Sequence, residues 1–191
     1  MEASSQAVGL PERNRAAGRL LLAAGVGAAV ALTLGIYSSV HDPANDLSIT
    51  LGFSTTFTMK VWLATIAIAF GVVQVLSAVW IYGHFPRRAA PAWLGTVHRI
   101  SGRLAFLISL PVAYHCLYQL GFQHSSTRVL LHSLCGCLFY GAFAAKVIIV
   151  RSRGLPGIAL PIAGGLTFTF LAYAWLSSAL WYISNVGFPS P

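Results

Sequence analysis

Four of the six histidines in this chain lie in one stretch, from Val97 to Val150, which consists of two long apolar segments joined by a short polar loop. They are His98, His115, His124 and His132. Histidine is costly in a hydrocarbon environment unless it has a polar or metal partner, so histidines within apolar segments indicate a site. Neutral imidazole is a common metal ligand through either ring nitrogen.

His115 and His132 are the pair whose positions suit one shared iron. His115 lies about six residues before the end of one apolar segment, and His132 about four residues after the start of the next. In an antiparallel hairpin these depths match to within roughly one helical turn of 5.4 Å. Two imidazoles at equal depth on neighbouring helices can bind a haem iron from opposite faces. The pattern predicts a b-type haem with His115 and His132 as axial ligands.

The residues around this pair suit a flat macrocycle. Gly136 follows His132 by four residues on the same helical face, where it leaves space for a ring. Pro111 precedes His115 by four residues and lacks an N–H, so it is expected to bend the helix. No C-x-x-C-H motif is present, so the haem would be bound non-covalently. The alternative is an interfacial histidine pair that forms hydrogen bonds to each other or to lipid headgroups.

The composition identifies the elements that must position these residues. With 57% hydrophobic and 8% charged residues and a mean hydropathy of +0.73, the chain is predicted to be an all-α integral membrane protein, a bundle of transmembrane helices. Apolar runs long enough to cross the bilayer predict five spans, at about 20–40, 56–82, 97–121, 128–150 and 160–183. The predicted organisation is a flexible cytoplasmic tail at 1–18, a single transmembrane domain at 19–185 and a short tail at 186–191.

The basic residues predict the orientation. With the N-terminus in the cytoplasm and the C-terminus outside, ten of the twelve lysines and arginines fall at cytoplasmic ends, and only Lys60 and Arg128 fall at the other side. This asymmetry predicts a multi-pass protein of the inner (plasma) membrane, with His115 and His132 near its outer face. Because the basic residues stand at the ends of apolar runs, they favour a lipid bilayer and argue against nucleic acid as a partner.

The sequence also resembles a known group of proteins. The segment VHRISGRLAF, the histidine at position 115 and the segment LLHSLCG around His132 resemble the haem-carrying helices of cytochrome b-561-like and ferric-reductase-like membrane proteins. They resemble more closely a family of uncharacterised five-span bacterial membrane proteins. The resemblance covers roughly Lys60 to Ile183. It implies electron transfer at or across the membrane through one or two b-type haems, with a quinol, a small reductant or a redox protein as partner.

A second haem near the cytoplasmic face is an open prediction. Ferric-reductase-like helices carry two ligands 13 or 14 residues apart, whereas His98 and His115 are 17 residues apart, about 100° out of phase. The residue 14 positions after His132 is Lys146. An inner haem would therefore have to use His98 with His84. Alternatively, the side chain of His98 reaches the membrane–water interface. Lys146 could contact a lipid headgroup or a haem propionate.

The cysteines and the remaining polar residues predict less. One possibility is a Cu(I) site formed by Cys116, Cys135 and Cys137. Residues at i and i+2 point to different sides of a helix, however, so Cys135 and Cys137 do not converge easily. The three cysteines are therefore predicted to act as small, buried apolar side chains. Gln74 is predicted to form an interhelical hydrogen bond. The other two histidines of interest, His41 and His124, are predicted to be solvated loop residues.

A non-redox function is the alternative to a cytochrome. The chain could be a membrane subunit, an assembly or scaffold protein, or a small transporter whose histidines pack or relay protons. A homo-oligomer and a place in a larger respiratory assembly are both compatible with the sequence. No Ser-His-Asp arrangement, phosphate-binding loop or zinc-protease motif is present, so a hydrolase or kinase is not supported.

Overall fold

Five long helices make up the computed structural model of this chain, which describes residues 3–44, 48–83 and 89–190, with side chains from residue 14 onward. The helices are α1 (Ala3–Val40), α2 (Thr56–Ile81), α3 (Leu94–Tyr114), α4 (Thr127–Arg151) and α5 (Ala159–Trp175). A π-helical turn, His115–Gln119, extends α3, and a second one, Leu176–Leu180, joins α5 to a last helical segment, Trp181–Val186. The described residues contain no strand.

All five helices are long and apolar enough to cross a membrane. The spanning segments are Asn14–Val40, Thr56–Ile81, Leu94–Gln119, Thr127–Arg151 and Ala159–Val186. This confirms the prediction of an all-α bundle with five spans, whose predicted ends differ from the observed ones by a few residues. The N-terminal segment differs more, because α1 begins at Ala3 and continues through the predicted flexible tail. Alanine, arginine and leucine favour helix, which explains the continuation.

Capping residues set the start of two helices. The Thr55 hydroxyl accepts a hydrogen bond of 3.0 Å from the backbone N–H of Thr58 at the start of α2. At the start of α4, the Ser126 hydroxyl accepts one of 3.3 Å from the N–H of Val129. Such caps satisfy N–H groups that have no partner within the helix. Both caps belong to the same end of the bundle.

Consecutive helices run in opposite directions, so the bundle has two ends. The loops after α1 and α3 lie at one end, here called the His132 end, and the loops after α2 and α4 lie at the other, the Lys146 end. The helices pack in the order α1, α4, α5, α2, α3. The contact between α1 and α4 is close, since a Cβ atom on Gly27 would lie 2.7 Å from the carbonyl oxygen of Gly141.

Aromatic side chains fill the space between α3 and α4. The rings of Phe106 and Phe143 stack with centroids 4.2 Å apart, and Tyr140 packs against Phe106 and Phe139 at 5.8 and 4.9 Å. These four residues are here called the aromatic layer. Phe139 lines both of the cavities described below, so the layer lies between them.

Candidate functional site

The larger cavity lies on the His132 side of the aromatic layer and has a volume of about 220 Å³. Residues of α2, α3, α4 and α5 line it, and most of them are small or apolar. Its polar lining includes Ser109, Cys116, His132, Ser133 and Ser178. An apolar cavity with a few polar groups at its wall is typical of a ligand or cofactor site. It is called the His132 cavity below.

His132 lies on the wall of this cavity with a defined ring orientation. Its Nδ1 donates a hydrogen bond of 3.0 Å to the carbonyl oxygen of Ala174 on α5, and the Ser177 hydroxyl lies 3.3 Å from the same nitrogen. In a neutral imidazole the other nitrogen, Nε2, then carries the lone pair. No described residue is a partner of Nε2. His132 can therefore bind a metal ion or another electrophile through Nε2.

Gly136 and Tyr140 follow His132 at intervals of one helical turn and line the same cavity. A Cβ atom on Gly136 would have no neighbour within 4 Å, so this glycine leaves open space beside the histidine. The Tyr140 hydroxyl donates to the carbonyl oxygen of Ser109 on α3 at 3.1 Å and lies 2.9 Å from the Ser109 hydroxyl. The prediction that Gly136 shares a face with His132 is confirmed.

His115 has a different environment from His132. Its side chain is fully buried, at 0% exposure, and does not line the His132 cavity. Its Nε2 donates a hydrogen bond of 2.8 Å to the carbonyl oxygen of Ile49, in the loop after α1, and its Nδ1 is bonded to the side-chain amide of Gln119. Both ring nitrogens thus have protein partners. The structure does not bring His115 and His132 together at one cavity.

The helical period explains why His115 is turned away. At 100° per residue, Cys116 returns to within about 20° of Ser109, whereas His115 lies about 120° from it. Ser109 and Cys116 both line the cavity, so the cavity-facing stripe of α3 passes through the cysteine. The helix then widens, because the N–H of Leu120 bonds to the carbonyl oxygen of His115 at 3.1 Å, five residues back.

The sequence did not predict that cysteines would line the His132 cavity. Cys116 and Cys137 line the His132 cavity, and Cys135 does not. The periodic stripe from Ser109 through Val112 to Cys116 is the signal that could have placed Cys116 there. The prediction that Cys135 and Cys137 lie on different sides of α4 agrees with this arrangement.

At the Lys146 end, His98 interacts with α2. Its Nδ1 lies 2.8 Å from the hydroxyl of Ser77, and its carbonyl oxygen accepts a hydrogen bond from the side-chain amide of Gln74. The same amide donates to the Ser101 hydroxyl at 2.9 Å, which confirms the interhelical hydrogen bond predicted for Gln74. His98 lines neither cavity. His84, its predicted partner, lies outside the described residues.

The two loop histidines differ from each other. His124 is exposed, as predicted. His41 instead stacks between the rings of Tyr37 and Tyr118, with centroids 5.0 and 4.7 Å away, and its Nε2 is buried without a hydrogen-bond partner among the described residues. His41 is therefore half-buried and not fully solvated as predicted, because the end of α1 packs against the π-helical turn that follows α3.

The chain was compared with known proteins at the level of sequence family, curated protein and solved structure. No curated protein and no solved structure matches it. A family model matches residues 20–190, which include all of the cavity-lining side chains described above. The chain therefore belongs to the family described as a family of unknown function, DUF6529.

Proposed function

We propose that this protein is a b-type haem protein of the membrane, which binds haem in the His132 cavity with His132 as an axial ligand. The observation that carries the proposal is the hydrogen bond of 3.0 Å from Nδ1 of His132 to the Ala174 carbonyl oxygen. Metal-binding histidines commonly donate their second ring N–H to such an acceptor, which fixes the tautomer and the ring orientation. The remaining nitrogen of His132 has no hydrogen-bond partner among residues 14–44, 48–83 and 89–190.

The residues of the cavity fit a flat, apolar group on the side of His132. Gly136 leaves open space one helical turn from the histidine, and the walls of about 220 Å³ of cavity are mostly apolar. When bound, a haem supplies one-electron redox chemistry. The chain supplies the orienting bond from Ala174, the apolar walls that exclude water, and the aromatic layer that closes the inner side of the cavity.

His115 is the second axial ligand predicted from the sequence, and that prediction stays open. For Nε2 of His115 to bind iron, it would have to leave the Ile49 carbonyl oxygen, and the loop after α1 would have to move. A buried carbonyl left without a partner costs about 1–3 kcal/mol, so the bond to iron would have to exceed this. Ligation by His132 does not carry that cost.

The proposed setting is the inner membrane of a bacterium, with the N-terminus in the cytoplasm and the C-terminus outside. Ten of the twelve basic residues then lie at the cytoplasmic side, which supports this orientation. The His132 cavity would lie near the outer face. A quinol, a small reductant or a redox protein would exchange electrons with the haem there, and oligomers or a larger respiratory assembly are compatible with the exposed apolar faces of the helices.

Absorbance spectra of histidine variants test the proposal. We expect the His132→Ala protein, purified from haem-replete cells, to lose the b-type absorbance of the wild type, because the open ligand position of the cavity disappears. His124→Ala is the matched control, since His124 is an exposed loop residue on the same side of the bundle. An unchanged b-type absorbance in the His132→Ala protein would contradict the proposal.

The His115→Ala variant distinguishes one histidine ligand from two. If His115 is only a structural tie between α3 and the loop after α1, its removal lowers stability and leaves the haem spectrum in place. If the spectrum is lost in both His115→Ala and His132→Ala, the haem has two histidine ligands, as the sequence predicts. Either result keeps His132 as a ligand.

A non-redox membrane subunit or scaffold is the second candidate function. The observation that favours it is the pair of hydrogen bonds of His115, which gives this buried histidine a complete structural role without a metal. Iron analysis of the purified protein separates the candidates. Iron in stoichiometric amount supports the cytochrome, and protein without iron from haem-replete cells supports the scaffold.

A further inference from the structure

The second cavity of the bundle contains a charged side chain. This Lys146 cavity has a volume of about 40 Å³ and lies on the other side of the aromatic layer. Phenyl rings, glycines and aliphatic side chains form its walls, apart from Gln74, Lys146 and Thr167. Lys146 is half-buried and stands five residues before the end of α4. An ionisable side chain within a membrane span is costly and marks a functional site by default.

No carboxylate among the described side chains is a partner of Lys146. The acidic residues of the chain all lie outside the five spans, at Glu2, Glu12, Asp42 and Asp46. Because α1 and α4 are antiparallel and meet at Gly27 and Gly141, Lys146 is level with about residue 22 of α1. Glu12 is about ten residues, or roughly 15 Å, farther along the helix axis. Among the described side chains, none carries a negative charge that balances Lys146.

The surrounding hydrogen bonds orient an acceptor toward Lys146. Both N–H groups of the Gln74 amide are occupied, by the Ser101 hydroxyl at 2.9 Å and by the carbonyl oxygen of His98. Oε1 of Gln74 consequently points toward the Nζ atom of Lys146, at 3.5 Å. Gly102 makes room for this arrangement, since a Cβ atom there would lie 2.8 Å from Oε1.

The ammonium group has three N–H donors, and one long hydrogen bond satisfies only one of them. No other described residue is a hydrogen-bond partner of Lys146. Thr167, the remaining polar residue of the cavity wall, donates its hydroxyl proton to the carbonyl oxygen of Ala163 at 2.7 Å. Lys146 therefore offers the cavity N–H donors and a positive charge, which suit an occupant that accepts hydrogen bonds.

We propose that the Lys146 cavity binds a small inorganic anion, such as chloride, which serves as the counter-ion of Lys146. A volume of about 40 Å³ holds about three water molecules or small ions, at roughly 10–15 Å³ each, and is too small for an organic ring. A charge-assisted hydrogen bond from Nζ to the anion offsets the cost of holding both charges away from water. This inference goes beyond the haem proposal and does not depend on it.

Thermal unfolding of the purified full-length protein tests the anion site. The protein is held in a neutral detergent with gluconate, a bulky anion, and chloride replaces gluconate at constant ionic strength. We expect the unfolding midpoint of the wild type to rise with chloride and to saturate, by about 5–10 °C at a hundredfold excess over Kd. A midpoint that does not change with chloride would overturn the proposal.

Three variants make the test specific. Lys146→Met should lose the chloride response, and Lys60→Met, which removes the half-buried lysine at the opposite end of the bundle, should keep it. Gln74→Glu should also lose the response while the protein stays folded, because a carboxylate beside Nζ replaces the external anion. An equal response in Lys146→Met and wild type contradicts the proposal, as does stabilisation by an anionic phospholipid but not by chloride.

Discussion

The hydrogen bond from Nδ1 of His132 to the Ala174 carbonyl oxygen determines which ring nitrogen can bind a ligand. At 3.0 Å it is a normal N–H···O bond, and it comes from a neighbouring helix, so the ring orientation depends on the packing of α4 against α5. His115 shows the opposite condition, since both of its nitrogens are bonded to protein groups. His132 therefore keeps one ring nitrogen for a ligand, whereas His115 uses both of its ring nitrogens in hydrogen bonds to the protein.

Tyr140 offers a test of the contact between α3 and α4. In Tyr140→Phe the hydroxyl that bonds to Ser109 at 3.1 Å is lost, while the ring keeps its place in the aromatic layer. We expect the free energy of unfolding to fall by about 1 kcal/mol, the usual net value of one hydrogen bond. A denaturing-detergent titration measures the change.

Tyr82→Phe is the matched control, because Tyr82 is exposed at the end of α2. It should leave the free energy of unfolding unchanged. Equal stability of Tyr140→Phe and wild type would show that the tyrosine hydroxyl does not hold α3 to α4.

The π-helical turn that follows α3 begins at His115, which the regular helical period of α3 has already turned away from the cavity. Pro111 lacks an N–H, and the backbone N–H of His115 bonds to the carbonyl oxygens of Pro111 and Val112 at the point where the helix widens. Such turns insert one residue into a helix and re-aim the side chains around it. The sequence predicts a bend at Pro111, and the structure adds the π-helical turn.

The contact between α1 and α4 leaves no room for a side chain at Gly27. In Gly27→Ala the new Cβ atom would lie 2.7 Å from the Gly141 carbonyl oxygen, so the helices must separate. Overpacking of this kind costs about 1–3 kcal/mol. We expect a loss of this size in the free energy of unfolding.

Gly25→Ala provides the comparison on the same helix. A Cβ atom on Gly25 would have no neighbour within 4 Å, so this variant should be neutral or slightly more stable. If both variants had the same stability, α1 and α4 would not be in close contact at Gly27.

The sequence predicts the helices well and the side-chain contacts less well, for physical reasons. Span length and hydropathy depend on the bilayer thickness, so five helices can be read directly from the apolar runs. The shared face of His132 and Gly136 follows from the helical period. The bond from His115 to Ile49 joins residues 66 positions apart across a loop, and no local pattern contains it.

At the scale of the whole molecule, the described residues form the His132 cavity and the Lys146 cavity, with the aromatic layer between them. His132 lines the larger cavity and Lys146 the smaller one. Within the part of the chain that the structure describes, Nε2 of His132 has no hydrogen-bond partner and Lys146 has no carboxylate partner. At about 40 Å³, the Lys146 cavity is smaller than a porphyrin ring. This argues against a second haem in the Lys146 cavity.

The orientation of the bundle can be measured with reporters fused to the C-terminus. The predicted arrangement places the C-terminus outside, because ten of the twelve basic residues then face the cytoplasm. A reporter that is active only outside the cytoplasm should be active on the full chain and inactive when fused after α4. The reverse pattern would contradict the orientation and place the His132 cavity at the cytoplasmic face.

The central claim is that the His132 cavity holds a b-type haem, and the reduced-minus-oxidised absorbance spectrum of the purified wild-type protein, with haem quantitation, tests it most directly. The account predicts b-type bands and about one haem per chain, since the Lys146 cavity, at about 40 Å³, has no room for a second ring. Protein purified from haem-replete cells that shows no b-type absorbance would contradict it.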